Sequence, residues 1–170
     1  MASKQFDVGL AVLPIHHPAV VCGPFIDTDV MAVLPAGHPL ARRDELSVAD
    51  LTDKTLITLP SYTVFRQSLD AAYAAEGLSP EARIETLSLY NACRMVAHGF
   101  GVCFADRFTV DCFLHERVEV RALQPPWRQT FGFVFPSDRP PSHLAVRFAE
   151  IVTATATRLV ERDVAGAGQT

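Results

Sequence analysis

The sequence predicts an α/β fold, and two patterns indicate it. Short apolar runs alternate with amphipathic runs over residues 55–120, which is typical of strand–helix–strand units around a parallel sheet. In one such unit, the amphipathic run 88–98 is followed by Gly99-Phe100-Gly101 and then by the apolar run 102–104. A glycine directly after a helix accepts the left-handed backbone that ends it, and the second glycine lets the chain turn into a buried strand.

The strands of this fold are predicted from apolar or β-branched runs, several of which end at a proline. An unbroken apolar run suits a strand that is covered on both faces of a sheet. The predicted strands are 7–13, 20–22, 30–34, 55–59, 83–86, 102–104, 118–120 and 130–135.

The helices are predicted from apolar residues at helical spacing between start and stop signals. In the run 63–76, Phe65, Leu69 and Tyr73 share one face, and Gly77 ends the helix. The other predicted helices are 44–51 with Ser47 as its N-cap, 88–98, 106–114 and 142–162. On the last helix, one stripe carries Leu144, Phe148, Ile151, Val152 and Leu159, and residues 164–170 are predicted to form a flexible tail.

The composition argues against several classes of function. The net charge is −4, and no run of Lys and Arg is longer than Arg42-Arg43, so we do not expect these residues to bind nucleic acid. No signal peptide and no stretch of about 20 apolar residues is present, which predicts a cytoplasmic chain without a membrane partner. The four cysteines form no Cys-x-x-Cys pair and lie in apolar company, which predicts buried, reduced thiols.

The sequence contains no recognisable catalytic motif. There is no Gly-x-Ser-x-Gly elbow, no Walker loop and no Gly-x-Gly-x-x-Gly, since Gly99-Phe100-Gly101 lacks the third glycine. We therefore expect a protein that is not an enzyme and that holds neither a metal nor a cofactor.

A ligand site is predicted where strands end and helices begin. In the turn 60–66, Ser61 or Thr63 can cap the helix and leave other first-turn N–H groups free for an anion. Arg66 is unusual there, because a cation in the first turn opposes the helix dipole, and a bound carboxylate would remove the conflict. Pairing of Arg66 with Asp70, four residues on, or exposure to solvent are alternatives that the sequence leaves open.

A second turn of the same kind supplies Thr86, Ser88 and Tyr90. These polar groups lie at the start of the predicted helix 88–98, where capping alone would also explain them. Both turns point to a small organic acid as the ligand.

In this order, the segments resemble the effector-binding domain of LysR-type transcriptional regulators. The matching pieces are Phe6-Asp7-Val8-Gly9-Leu10, Val33-Leu34-Pro35-Ala36-Gly37-His38-Pro39-Leu40-Ala41, Asp50-Leu51 with Leu56-Ile57, Glu85 with Met95-Val96-Ala97-His98-Gly99-Phe100-Gly101-Val102, and Arg139-Pro140-Pro141-Ser142 with Phe148. The resemblance covers residues 6–160. It departs from the family at Ala105-Asp106, where the family usually has a proline, and Asp106 would either alter the polarity of the pocket or cap the next helix.

The resemblance implies a periplasmic-binding-protein type 2-like fold, in which two Rossmann-like lobes are joined by two crossing strands with the effector between them. The crossing strands would be 30–34 and 130–135. Residues 1–26 would be a remnant of an incomplete first lobe and residues 27–124 the second lobe. Residues 125–163 would then be the second crossing strand and the helix that returns to the first lobe.

By this resemblance, the chain would sense a ligand and control transcription through an N-terminal winged helix that lies outside it. The candidate effector-binding residues are Ser61, Tyr62, Thr63, Arg66, Thr86, Ser88, Tyr90 and Asp106. We also expect a homodimer or larger oligomer, because strand 7–13 and the last helix would otherwise expose apolar surface. A solute-binding protein of the same fold is the alternative, although it should carry an export signal.

Overall fold

The computed structural model describes residues 6–80, 82–113 and 117–166, with the backbone alone for residues 82–83 and 161–166. The chain forms two compact units. The first consists of the described parts of Met1–Thr28 and Gln129–Thr170, and the second is Asp29–Arg128. The predicted second lobe, residues 27–124, overlaps the second unit.

The described residues contain strands, α-helices and short 3₁₀ helices. The strands are β1 Gly9–Val12, β2 Val20–Pro35, β3 Glu45–Leu46, β4 Leu56–Thr58, β5 Ala82–Glu85, β6 Cys103–Asp106, β7 Val118–Leu123 and β8 Arg128–Pro136. The α-helices are α1 Val64–Ala75, α2 Leu89–Ala97, α3 Arg107–Asp111 and α4 His143–Gly166, and the 3₁₀ helices are Pro39–Arg42 and Val48–Leu51.

The second unit contains a set of strands that run in the same direction. β4 and β5 pair in parallel, with Ile57 opposite Ile84. Leu56 forms a parallel bridge to Val102, directly before β6, and the Ile57 N–H donates to the Val102 carbonyl at 2.9 Å. The carboxyl ends of β5, β4 and β6 therefore lie at one edge, and a helix follows each of them.

β4 and β5 form a two-stranded sheet, and β6 belongs to a larger sheet that continues through β2. β2 pairs antiparallel with both β6 and β7, and β3 pairs in parallel with β7. Helix α1 buries Phe65, Leu69 and Tyr73 in one apolar cluster, as its spacing predicts. Helix α2 buries a second set in another cluster, consisting of Ala92, Cys93 and Val96.

The predicted helix ends are confirmed at α1 and α2. Thr63 is the N-cap of α1, and Gly77 follows the helix with a φ of 70°. Gly99 follows α2 with a φ of 80° and donates to the Val96 carbonyl at 2.8 Å. Both glycines hold left-handed backbone that a side chain would disfavour.

The largest differences from the predicted elements lie in three places. The expected strands 20–22 and 30–34 are one strand, β2, because the intervening Gly-Pro stretch stays extended beside β8. The expected helix 44–51 is strand β3 followed by a 3₁₀ helix, since residues 45–46 pair with β7. Residues 164–166 of the predicted tail are helical, and 167–170 lie outside the described residues.

The first unit contains β1, β8 and helix α4. β1 pairs antiparallel with β8, with Gly9 opposite Val134. In α4, Ala145 and Ala156 are buried, whereas Leu144 and Ile151 are 79% and 55% exposed. The helix therefore turns small residues inward and large apolar residues outward.

Even α4, at 24 residues, is not apolar enough to cross a membrane, and the same holds for the other helices of the described ranges.

The close contact beside Gly101 gives a test of the strand arrangement. A Cβ at Gly101 would lie 2.2 Å from the Thr55 carbonyl oxygen, the acceptor of the Val102 N–H. We expect Gly101→Ala to lower the free energy of unfolding by about 1–3 kcal/mol, as overpacking does. Gly23→Ala is the matched control, because nothing lies within 4 Å of its added Cβ. Equal urea midpoints for the two variants would contradict this arrangement.

Candidate functional site

The edge formed by the ends of β4, β5 and β6 carries the sequence-predicted site residues, all within the second unit. The last residues of these strands are Thr58, Glu85 and Asp106. The Thr86 N–H donates to the Thr58 carbonyl at 2.9 Å and so extends the pairing of β4 and β5 into the second turn. The structure thus brings together the two turns that the sequence singles out.

The N-terminus of α1 is capped by Thr63. The Thr63 hydroxyl accepts the Arg66 N–H at 3.3 Å and donates to the Pro60 carbonyl at 2.8 Å. Among the described residues, no acceptor faces the N–H groups of Val64 and Phe65. Ser61 and Tyr62 are exposed beside this terminus, so Thr63 is the cap and Ser61 is not.

The Arg66 side chain is mostly buried and paired with carboxylates. Its Nε donates to Asp70 Oδ1 at 2.8 Å, and its Nη1 lies 3.4 Å from both Glu85 Oε1 and the Leu59 carbonyl oxygen. Only 11% of the side chain is exposed. The pairing with Asp70 that the sequence left open is therefore present, and a second carboxylate from β5 joins it. Arg66 ties α1 to the end of β5 and offsets the charge of Glu85.

The N-terminus of α2 is the more open of the two. Ser88 occupies the N-cap position, yet its hydroxyl makes no capping hydrogen bond. The Ala92 N–H, bonded to the Ser88 carbonyl at 3.0 Å, is the first of this helix with an acceptor in the described part of the chain. The N–H groups of Leu89, Tyr90 and Asn91 are therefore left for an external acceptor.

Tyr90, in the first turn of α2, places an aromatic ring at this terminus. Its ring lies 4.8 Å from the ring of Phe113, centroid to centroid, and the two are tilted by 49°. Phe113 is buried and Tyr90 is half exposed. Contact with Phe113 therefore holds the Tyr90 ring in place, while about half of Tyr90 stays accessible to solvent. Thr86, four residues before Tyr90 in the chain, is partly buried.

Asp106 caps helix α3. Its Oδ1 accepts the Thr109 N–H at 3.0 Å, and its Oδ2 accepts the Thr109 hydroxyl at 2.7 Å. The side chain is only 5% exposed. Of the two roles that the sequence left open, the structure shows the cap.

Thr58 is a candidate site residue that the sequence analysis missed. It ends β4 and is 2% exposed, and its hydroxyl has no hydrogen-bond partner among the described residues. The signal was a hydroxyl inside the apolar run Leu56–Thr58, directly before a candidate turn. A buried hydroxyl without a partner costs free energy unless a ligand or water satisfies it.

The cysteines differ from one another in environment, and all four are free thiols. Cys93 and Cys103 are buried with their Sγ atoms 3.8 Å apart. The hydrogen bond with Cys93, together with burial, raises the pKa of the Cys103 thiol, so it stays protonated. The expectation of burial is wrong for Cys112, which is exposed where α3 ends, and it holds only in part for Cys22, which is half-buried. Within the described ranges, no three His, Cys, Asp or Glu side chains are placed to hold a metal ion.

The family model described as the LysR substrate binding domain matches residues 1–157. Regulatory protein NocR of Agrobacterium tumefaciens (strain T37) is 30% identical over 145 residues, which covers 85% of this chain and 48% of NocR. Transcriptional activator protein LysR of Escherichia coli (strain K12) is 27% identical over 161 residues, covering 94% and 51%. The chain therefore spans about half the length of these curated relatives.

Solved structures show the same fold. The effector binding domain of QuiR in complex with shikimate superposes with a TM-score of 0.78 at 16% identity, covering 91% of this chain and 74% of that one. The reduced OxyR regulatory domain from Pseudomonas aeruginosa superposes with a TM-score of 0.67 at 25% identity, covering 91% and 73%. The expected periplasmic-binding-protein type 2-like fold is thereby confirmed.

The cap of α3 predicts a specific stability loss. Asp106→Ala removes both bonds to Thr109, and we expect the free energy of unfolding to fall by about 1 kcal/mol. Asp106→Asn keeps an acceptor and should lose less. Asp7→Ala is the control, since Asp7 pairs with Arg139 at the surface, where an ion pair contributes little. Urea denaturation measures all three variants, and an equal loss in Asp7→Ala and Asp106→Ala would count against the capping role.

Proposed function

Since this chain belongs to the LysR substrate-binding domain family, we propose that it is the ligand-sensing part of a bacterial LysR-type transcriptional regulator. It acts in the cytoplasm as a binding domain and not as an enzyme. It binds a small organic acid and controls transcription through a winged-helix DNA-binding domain outside this chain. The relatives do not favour the alternative of a transport protein, because NocR and LysR are regulators.

The open N-terminus of α2 is the observation that carries the proposal for an acidic ligand. Three consecutive N–H groups, those of Leu89, Tyr90 and Asn91, lack an acceptor among the described residues, and Ser88 does not cap them. The helix dipole adds positive potential at the same place. A carboxylate or phosphate group suits both features, because it supplies several acceptors and a negative charge.

In our proposal, Arg66 supports this site indirectly, through its ion pair with Glu85. Glu85 ends β5 just before the turn into α2, where its negative charge would repel an anion. Arg66 Nη1 lies 3.4 Å from Glu85 Oε1 and offsets that charge. We therefore propose Arg66 as a positioning residue. The remaining proposed effector-binding residues line the same edge: Thr58, Ser61, Tyr62, Thr63, Thr86, Ser88, Tyr90 and Asp106.

Ligand binding acts on transcription through a population shift. An effector changes the balance between two forms of a regulator only if it binds them with unequal affinity. In this proposal, the effector therefore binds one form of the oligomer more tightly than the other.

A thermal-shift titration tests the acidic ligand and the role of Arg66 together. The probes are succinate, benzoate and shikimate. We expect at least one of them to raise the melting temperature, and Arg66→Ala to weaken its binding about fivefold by uncovering the charge of Glu85. In the Arg66→Ala background, Glu85→Gln should then restore most of the affinity.

Two outcomes contradict this account. If Glu85→Gln does not rescue Arg66→Ala, the guanidinium contacts the acid directly. If none of the three acids binds, the acidic ligand itself is wrong. Arg147→Ala is the matched control, since Arg147 is exposed on α4 and pairs only with Glu150 among the described residues.

The oligomer in our proposal forms through the exposed stripe of α4. Leu144, Phe148, Ile151 and Leu159 are each at least 41% exposed and follow helical spacing along one face. Leu144 lies seven residues before Ile151, and Leu159 lies eight after it. Two antiparallel copies of α4 centred at Ile151 would therefore cover each other's stripe, which suits a symmetric dimer.

A charge within the stripe should abolish this dimer. We expect Ile151→Glu to give a monomer by light scattering coupled to size exclusion, because the dimer would bury two unpaired carboxylates. Thr157→Glu adds the same charge to an exposed position six residues after Ile151, on a different face of the helix, and should leave the dimer intact. A dimer that persists in Ile151→Glu would show that another face makes the contact.

A further inference from the structure

Cys93 and Cys103 form a buried pair of thiols in the second unit that the proposed function does not use. Cys93 lies on the buried face of α2, and Cys103 is the first residue of β6. Their Sγ atoms are 3.8 Å apart, within the range of a hydrogen bond between two thiols. Both residues are 0% exposed. The helix and the strand therefore hold two thiol groups in direct contact.

The surroundings of this pair protect it from reaction while the domain stays closed. The hydrocarbon side chains of Ile57, Val96 and Ala105 belong to the same buried cluster. The hydrogen bond with Cys93, and then burial, raise the pKa of the Cys103 thiol. The thiolate and not the thiol is the nucleophile in thiol oxidation. Oxidation of the pair therefore requires that α2 first opens locally.

A disulfide between the same two residues would suit this apolar cluster. It replaces two S–H groups, which are weak donors, by a bond without a donor. It also closes the eleven-residue loop 93–103, and a closed loop restricts the unfolded chain. The distance between the Sγ atoms must fall from 3.8 Å to about 2.0 Å. Rotation about the Cα–Cβ bonds moves an Sγ atom by a distance of this order.

We propose that Cys93 and Cys103 are an oxidation site, which a small uncharged two-electron oxidant converts to a disulfide when α2 opens. One thiolate attacks the oxidant and becomes bonded to it through sulfur. The second thiolate then attacks that sulfur, forms the S–S bond and displaces the reduced oxidant. The two thiols lose two protons and two electrons, and the oxidant takes up both. The inference goes beyond the proposed function, since the domain would respond to an oxidant in addition to its ligand.

A mass measurement tests whether the disulfide forms. In the variant with Cys22→Ser and Cys112→Ser, Cys93 and Cys103 are the only cysteines left in the sequence. The folded variant is incubated with the azo compound diamide, quenched, and labelled in urea with N-ethylmaleimide. We expect a protein that has lost two hydrogen atoms and takes no label, and that takes two labels after reduction. Cys93→Ala in the same background is the matched control and should still take one label.

The rate of oxidation tests the role of α2 opening, with the exposed Cys112 of the unsubstituted protein as the reference. The pair should react with diamide at least about 100-fold more slowly than Cys112, because only the locally open form reacts. Urea at concentrations below the unfolding transition should speed oxidation of the pair. The rate at Cys112 should change little.

The oxidised protein should also be the more stable form. Because the disulfide closes a loop, we expect its melting temperature to lie several degrees above that of the reduced protein. Reduction with dithiothreitol should bring it back to the starting value.

Four outcomes would overturn the inference. The pair stays reduced while Cys112 reacts, it reacts as fast as Cys112, or it reacts only in urea that unfolds the whole protein. The fourth is a disulfide that lowers the melting temperature, since the folded domain would then have to distort to hold it. None of these results bears on the acid-binding function, which the thermal-shift titration with acids tests separately.

Discussion

The parallel alignment of β4, β5 and β6 is the constraint on which the rest of the second unit depends. This alignment is held where the chain after α2 passes close to Thr55. The backbones are so close there that no side chain fits at Gly101. The alignment brings three strand ends to one edge, and a helix begins after each. Helix N-termini gathered in this way are a general means of binding an anion with backbone groups. The proposed binding edge is therefore a consequence of the strand order, and side chains only tune it.

Charges at this edge are arranged in pairs. Arg66 is shared between a carboxylate of its own helix, Asp70, and Glu85 at the end of β5. Asp106 is held by the cap of α3. Since these side chains satisfy one another, the groups that lack an acceptor among the described residues include the first backbone N–H groups of α1 and of α2, three of them in α2. The ligand that we propose for the N-terminus of α2 would compete there with water and not with an internal salt bridge.

Sequence patterns predicted those features that depend on neighbours along the chain. The cap at Thr63, the stops at Gly77 and Gly99, and the i,i+4 partner of Arg66 are local, so their residues were readable. Glu85, the second partner of Arg66, is nineteen residues away and follows only from the pairing of β4 with β5. The same holds for 45–46, whose strand conformation depends on β7.

The unpartnered buried groups were beyond sequence reasoning for a related reason. Thr58, Thr28 and Gln129 lie in runs that predict strands, but which face is covered depends on the assembled sheet.

Two-dimensional ¹H–¹⁵N NMR of the labelled domain, titrated with an acid that binds, tests the central claim most directly. The account predicts that the amide signals of Leu89, Tyr90 and Asn91 move most, downfield as their protons gain an acceptor. Shifts that leave these three amides unchanged would contradict the claim that the N-terminus of α2 holds the ligand.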